Sequence, residues 1–338
     1  MISRVAECCY WLFRYVERVE STSRLLRVNR SFALDAQLPS LERFRPLIIV
    51  SGEEKRFTKL LGADAANDRE RVHHFLAWDN ECPVSIISSI RWARENARTI
   101  REVISVDMWE SLNGFWHWMA TGEGKGLYYS NPDDFYRWAR DWPHEFYGIA
   151  HSTLLHDEAF DFMRLGMHLE RVGQTARLLD VKHHMLAAAD DTPSIKPLEN
   201  AVLIELLHGL SAHDAYRRHT GGLSARGVMD FVLLEPAFPR SVVHNLEQAW
   251  TILHRLSGFA NAPDSPANPY QLIEDLRDRV RAYRGAELNR DQLHAELTDV
   301  VDQTTAIGIA IGERYFARET PKKQSQSQTQ TAGSGVSA

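Results

Sequence analysis

Glutamate and arginine recur in register in two stretches of this sequence. The segment LFRYVERVESTSRLLRV occupies residues 12–28, and LGMHLERVGQTARLLDV occupies residues 165–181. The identical positions are Leu12/Leu165, Glu17/Glu170, Arg18/Arg171, Val19/Val172, Thr22/Thr175, Arg24/Arg177, Leu25/Leu178, Leu26/Leu179 and Val28/Val181. Amphipathic helices often share leucine and valine positions, but that similarity does not force charged residues to recur in register. Because guanidinium groups bind carboxylates and other anions, the repeated charges are the first candidates for a functional site.

Each segment has the periodicity of a helix with one apolar stripe. On a helical wheel, Glu17 and Arg24 lie opposite that stripe, as do Glu170 and Arg177. Glutamate and arginine seven residues apart are separated by about 10.5 Å along the axis, which is too far for an ordinary pair within one helix. We therefore expect each segment to supply the partners of the other, Glu17 with Arg177 and Glu170 with Arg24, about a local pseudo-twofold axis.

These charged residues allow two interpretations. They could line a cavity that binds an anionic or zwitterionic ligand, such as a peptide terminus or an acyl phosphate. They could instead form a structural lattice of salt bridges between helices, in which case no ligand is involved. The helix RENARTIR, residues 94–101, supplies expected neighbours. The candidate ligand-binding residues are Glu17, Arg18, Arg24, Arg94, Arg98, Glu170, Arg171 and Arg177.

No catalytic residue can be assigned from motifs, and whether the chain is an enzyme stays open. If it is one, Glu17 or Glu170 would act as a general base toward an amine. A ferritin-like dimetal site would need paired Glu-x-x-His motifs, which the sequence lacks, so neither a metal nor a cofactor is predicted. The adjacent Cys8 and Cys9 fall on an apolar helix face, where they are expected to behave as small hydrophobic residues.

Helical periodicity extends over nearly the whole chain, which predicts an all-α, multi-helix bundle. Glycine and proline clusters separate the helices, among them TGEGKG at residues 121–126, which is expected to be a flexible loop. We expect a single helical domain over residues 1–317, with 1–126 and 127–317 as alternative halves. Residues 318–338 are rich in Gln, Ser and Thr and are expected to be a disordered tail.

Composition narrows the functional classes. The formal net charge of −6 provides no basic surface for nucleic acid or anionic lipid. No apolar run is long enough for a membrane span, and the first residues do not resemble a signal peptide. The three cysteines do not make a disulfide framework. We therefore expect a soluble, cytoplasmic protein that binds neither nucleic acid nor membrane.

Aromatic residues are concentrated in two segments. These are WESLNGFWHW at residues 109–118 and YYSNPDDFYRWARDW at residues 128–142. Aromatic side chains at helical spacing usually fill a core. Because tryptophan, tyrosine and arginine also anchor protein interfaces, a partner-binding surface is the alternative interpretation.

Several separated motifs resemble the bacterial alpha-E family. They are SRVAECCYWLFRYVERVESTSRLL near the start, RENARTIREVISVDMWESLN at residues 94–113, MHLERVGQTARLL in the second segment and PRSV at residues 239–242. The resemblance implies an all-helical fold. It also implies partners, because family members are typically encoded beside, or fused to, circularly permuted ATP-grasp proteins and often near transglutaminase-like proteins. The implied function is that of a helical component of an amide or peptide ligase system. The alternative is a non-catalytic interaction scaffold.

Overall fold

The computed structural model describes residues 3–35, 40–189, 195–256, 268–283 and 290–316. Within these ranges the chain is helical and has no β-strand, so the all-α prediction is confirmed. The helices are α1 (Ser3–Asp35), α2 (Ser40–Ser51), α3 (Glu54–Leu61), α4 (Arg69–Trp78), α5 (Ile86–Thr99), α6 (Val106–Ala120), α7 (Glu123–Ser130), α8 (Pro132–Thr153), α9 (Glu158–Ala189), α10 (Ile195–Gly209), α11 (His213–His219), α12 (Ala225–Leu234), α13 (Val242–Leu256), α14 (Pro269–Ala282) and α15 (Arg290–Ile311). A 3-10 turn, Ala63–Asn67, precedes α4, and a π-helical turn, Gly312–Phe316, follows α15. The predicted tail, 318–338, lies outside the described residues.

The long helices α1 and α9 carry the repeated segments and lie at the centre of the bundle. Helix α1 packs against α5, α8 and α9, and α9 also packs against α13 and α15. The predicted apolar stripes are buried, including Leu12 and Val19 of α1 and Leu165 and Val172 of α9. The opposite face of each helix is covered as well, which places the repeated charges inside the protein.

Glycine allows the two central helices to approach closely. A Cβ atom added at Gly166 of α9 would lie 2.1 Å from the backbone oxygen of Tyr10 in α1. No side chain can occupy that space without moving one helix, because the obstacle is backbone. The contact therefore fixes where α1 and α9 cross, one to two turns before their glutamates.

The prediction of a flexible loop at residues 121–126 is wrong. Only Gly122 interrupts the helical path, with a φ of 98°, and helix α7 begins at the next residue. The negative charge of Glu123, in the first turn, interacts favourably with the positive end of the helix dipole. Tyr128 of the same helix is buried and makes edge contacts with Trp78 and Phe135. This packing offsets the poor helix propensity of the glycines.

The aromatic segments fill much of the core between α6, α7 and α8. Phe115 and Trp142 stack with ring centroids 4.3 Å apart, and Trp118 stacks on Phe135 at 5.5 Å. The core-filling interpretation therefore holds for most of these rings. Tyr129 and Trp138 differ, because they are 64% and 60% exposed.

One continuous core runs through both predicted halves of the chain. Helix α1 from the first half packs against α8 and α9 from the second. In the described part of the chain, no helix has the length and apolar character that crossing a membrane requires.

Candidate functional site

The crossing of α1 and α9 brings the duplicated glutamates into one cluster. We define the Glu/Arg cluster by three glutamates and six arginines: Glu17, Glu20, Glu170, Arg14, Arg18, Arg24, Arg171, Arg177 and Arg240. These residues come from α1, α9 and the segment just before α13. All three glutamates are buried, and the arginines are buried or partly buried.

Glu17 accepts hydrogen bonds from three other elements. Arg171 of α9 donates from Nε to Oε1 at 2.8 Å, and Arg240 donates from Nη1 to the same oxygen at 3.0 Å. The hydroxyl of Tyr147 in α8 donates to Oε2 at 3.0 Å. Both carboxylate oxygens are therefore occupied.

Glu170 is held in the reciprocal way by α1. Arg18 donates from Nε to Oε1 at 2.8 Å and from Nη2 to Oε2 at 3.0 Å, which is a bidentate contact. Arg14 donates from Nε to Oε2 at 2.9 Å, and Gln174 donates to Oε1 at 3.2 Å. Each repeated segment thus supplies a glutamate to an arginine of the other.

The predicted partners were nevertheless wrong. Glu17 meets Arg171 instead of Arg177, and Glu170 meets Arg18 instead of Arg24. The helices cross near their glutamates, so the arginines one residue further along reach across the contact. Arg24 and Arg177 follow the glutamates by seven residues, so they lie about two helical turns away from the crossing point.

The two more distant arginines have other surroundings. Arg24 pairs with Glu20, one turn back on α1, and donates from Nε to the backbone oxygen of Gly209 at 2.7 Å. Arg177 is close enough to Glu170 for that charge to favour its protonated form, but burial outweighs this effect and lowers the pKa of Arg177.

Arg94 and Arg98 are not brought to the cluster. Arg94 donates to the side-chain oxygen of Asn113 at 2.8 Å, and Arg98 pairs with Glu95 at 2.7 Å. The face of α5 that turns inward carries small and apolar residues such as Ala93 and Ala97. The arginines of this helix consequently lie toward α6 and solvent.

Three members of the Glu/Arg cluster were not among the predicted site residues: Arg14, Glu20 and Arg240. Glu20 accepts from Arg240 at 2.9 Å as well as from Arg24. Glu20 corresponds to Gly173 in the second segment, so comparison of the two segments could not reveal it. Arg14 lies on the same wheel face as Glu17, and Arg240 belongs to the PRSV motif, which were the available signals.

The arginines keep the cluster carboxylates ionised. Burial alone would raise the pKa of Glu17, but Arg171 and Arg240 outweigh it and hold this pKa below its ordinary value. Arg18 and Arg14 do the same for Glu170. A carboxylate whose pKa is lowered and whose oxygens are occupied has little affinity for a further proton and is a poor general base. The geometry therefore does not favour the base role considered for Glu17 or Glu170.

The cluster has more positive than negative side chains. Burial, together with the neighbouring charge of Arg240, lowers the pKa of Arg24 to about 10. The free space beside it is a cavity of about 20 Å³, lined in part by Glu17, Arg24, Arg171 and Arg240. That volume holds about one water molecule. The cluster is therefore closely packed between helices.

The His, Cys, Asp and Glu side chains of the described residues offer little basis for metal binding or thiol chemistry. Over the described ranges, no group of three or more His, Cys, Asp or Glu side chains could hold a metal ion. Cys8, Cys9 and Cys82 are free and buried. Burial raises the pKa of Cys82 to about 12, so its thiol stays protonated.

A family model described as a predicted alpha-helical domain with a conserved ER motif matches residues 1–316. The chain belongs to the Alpha-E family. Glu17-Arg18 and Glu170-Arg171 are two Glu-Arg dipeptides that fit this Alpha-E description, and they provide the reciprocal contacts between α1 and α9.

Two curated relatives of this Alpha-E chain come from mycobacteria. An uncharacterized protein of Mycobacterium bovis and one of Mycobacterium tuberculosis are each 25% identical over 339 residues. The alignments cover 91% of this chain but only 37% of each relative. No solved structure matches the chain.

Proposed function

We propose that this chain is the helical component of an ATP-grasp-associated amide or peptide ligase system, in which it binds the ligase through its outer surface. The Glu/Arg cluster is then the structural centre of the component. The alpha-E resemblance supports the association, since such domains are encoded beside or fused to circularly permuted ATP-grasp proteins. The greater length of the mycobacterial relatives agrees with fusion of this domain to further chain.

The close packing of the Glu/Arg cluster is the observation that carries the structural role. A site for a peptide-like substrate needs several hundred cubic ångströms, whereas this cluster leaves about 20 Å³. Glu17 and Glu170 are each bound by an arginine from the opposite helix, so the ionic contacts between α1 and α9 are made without a ligand. Buried pairs of this kind fix the relative position of helices more than they add stability.

The exposed rings of Tyr129 and Trp138 provide a surface on which a ligase could dock. Tyr129 lies in α7 and Trp138 lies in α8. The ring of Trp138 stacks on that of Trp118, with centroids 6.3 Å apart. Stacking on Trp118 therefore holds the Trp138 ring in place, although 60% of Trp138 is exposed. Aromatic residues held in this way are common anchors of protein interfaces. A transglutaminase-like protein is a further partner that the resemblance implies.

Reconstitution tests this proposal. The chain is purified with the circularly permuted ATP-grasp protein encoded beside it, and products formed from ATP and amino acids are identified by mass spectrometry. We expect co-purification and a product yield that falls when this chain is omitted. The double variant Tyr129→Ser/Trp138→Ser should lower the affinity for the ATP-grasp protein at least tenfold, which corresponds to about 1.4 kcal/mol. Co-purification should weaken accordingly. Ile309→Ser, at a residue 59% exposed on α15, is the matched control. An unchanged yield without this chain would refute the proposal.

The surplus of arginine supports a second candidate function, binding of an anionic group at the Glu/Arg cluster. Arg177 is the member whose charge such a ligand could offset, because it is partly buried and forms no salt bridge among the residues that the structure describes. Inorganic phosphate would then raise the melting temperature of the wild-type chain, and Arg177→Gln would remove that increase. Equal melting temperatures with and without phosphate would exclude this candidate.

A further inference from the structure

A second cavity, much larger than the one in the Glu/Arg cluster, lies between α1 and α5. Its volume is about 460 Å³, within the range of small-molecule sites. Arg4, Glu7 and Trp11 of α1 and Trp92 of α5 are among the residues that line it. We call it the α1–α5 cavity.

Aromatic rings form the apolar part of a wall that also contains polar groups. Trp11 comes from α1 and Trp92 from α5, so both helices contribute an indole. Trp11 is held from behind by Tyr15, whose ring stacks on it with centroids 5.5 Å apart. Trp92 is 44% exposed although it lines the cavity. A wall of this kind favours an apolar or aromatic group.

The charged side chains of the cavity differ in their availability. Glu95 is already paired, with Arg98 at 2.7 Å and Arg94 at 3.7 Å. Arg4 and Glu7 are exposed, and neither has an ion-pair partner among the residues that the structure describes. They lie three residues apart on α1, which places them on the same side of the helix. One free positive and one free negative group therefore stand side by side at the aromatic wall.

The remaining polar groups are neutral. Burial and the charge of Glu7 raise the pKa of Cys8, so this thiol is protonated and does not act as a nucleophile. Asn96 and Thr99 supply amide and hydroxyl groups on the opposite helix. The cavity is thus suited to binding, and nothing in its lining provides a covalent step.

We propose that the α1–α5 cavity binds a zwitterionic amino acid with an apolar or aromatic side chain. Glu7 would bind the ammonium group and Arg4 the carboxylate, while the side chain packs against Trp11 and Trp92. The binding does not depend on the ligase association, because every residue involved belongs to this chain. Its test uses the purified chain alone, so its failure is distinguishable from failure of the proposed function.

Three probes separate the two charges of the ligand. L-phenylalanine carries both, phenethylamine lacks the carboxylate, and 3-phenylpropionate lacks the ammonium group. Isothermal titration calorimetry should show saturable binding of phenylalanine and at least tenfold weaker binding of the other two. Absence of saturable binding by both phenylalanine and leucine at concentrations up to about 10 mM overturns the proposal. Equal binding of phenethylamine and phenylalanine overturns the zwitterionic assignment.

Substitutions locate the binding within the cavity. Glu7→Gln and Trp92→Ala, both at exposed positions, should each weaken phenylalanine binding at least tenfold while leaving the melting temperature unchanged. Glu81→Gln is the matched control, since Glu81 is also an exposed glutamate but lies outside the cavity. Wild-type affinity in Glu7→Gln and Trp92→Ala would show that any binding occurs elsewhere and would refute the proposal.

Discussion

Glu170 illustrates how strongly a single carboxylate can depend on its neighbours. It accepts hydrogen bonds from Arg14, Arg18 and Gln174, and its side chain is only 3% exposed. The charge of Glu170 offsets part of the desolvation cost of the arginines around it, and without that charge they would be left uncompensated. Removing one member of such a group is much more costly than replacing all of it with apolar residues.

Glu170→Gln should therefore destabilise the chain strongly. We expect the free energy of unfolding to fall by about 3–5 kcal/mol, because two guanidinium groups lose their buried counter-charge. Urea denaturation followed by circular dichroism measures the change. Glu70→Gln is the control, since Glu70 is 58% exposed in its pair with Arg69, and its effect should stay within about 0.5 kcal/mol. Similar losses in both variants would contradict a structural role of the cluster.

Two buried histidines make stability depend on pH. Burial, followed by the charge of Arg69, lowers the pKa of His73 to about 3, and burial together with Arg171 lowers that of His168. The ordinary histidine pKa is 6.5. The unfolded chain therefore binds protons below about pH 6.5 that the folded chain does not bind, so stability is full above that pH and declines as the pH falls.

We expect the free energy of unfolding to fall between pH 7 and pH 5, with a slope approaching about 1.4 kcal/mol per pH unit for each histidine. Urea denaturation at a series of pH values measures it. The double variant His73→Gln/His168→Gln should be less stable at pH 7 but have a smaller slope, because glutamine binds no proton. Below pH 4.5 the cluster glutamates should add a further loss, since their pKa values are lowered in the folded state. A flat profile from pH 7 to pH 5 in the wild type would refute this.

At the scale of elements, the contact between Gly166 and Tyr10 sets the geometry on which the Glu/Arg cluster depends. Gly166→Ala places a methyl group 2.1 Å from a backbone oxygen. The helices must separate, and we expect a loss of at least about 3 kcal/mol in the free energy of unfolding. Thermal and urea denaturation measure it.

Gly173 offers a matched control on the same helix, because an added Cβ would have nothing within 4 Å. Gly173→Ala should raise stability by up to about 1 kcal/mol through better helix propensity. If the two alanine variants behaved alike, the close approach of α1 and α9 would not limit their packing.

Sequence patterns predicted the helices more completely than the partners of the charges. The repeat of Glu17 at Glu170 indicated that both glutamates face a helix contact, and the structure confirms that they are buried there. The pattern could not say where the helices cross, because the glycine contact that decides it involves backbone atoms. Arg240 was missed for a related reason, since it reaches Glu17 from a third element outside the repeat.

Local propensity also failed where packing decides. Helix α7 contains two glycines, which favoured a loop at residues 121–126, but the burial of Tyr128 holds it in place. The predicted pseudo-twofold relation and the division into halves stay predictions.

At the scale of the whole molecule, the shared core implies that the halves depend on each other. Fragment 1–126 contains Glu17 but lacks its partner Arg171. Fragment 127–317 contains Glu170 but lacks its partner Arg18. Separately expressed, neither should show cooperative unfolding or a dispersed NMR spectrum, whereas co-expression should restore both. The intact chain is the control. Independent folding of both fragments would show that each has a sufficient core of its own.

The position of Arg240 has a consequence for synthesis on the ribosome. Glu17 has one partner 154 positions later and another 223 positions later. Until the residue that supplies the second partner has emerged, the nascent chain carries glutamates whose counter-charges are incomplete. Contacts at such separation form late because a long loop must close first. Translation that stops before Arg240 therefore yields a product whose first helix cannot be fully buried, which makes it a target for chaperones and proteases.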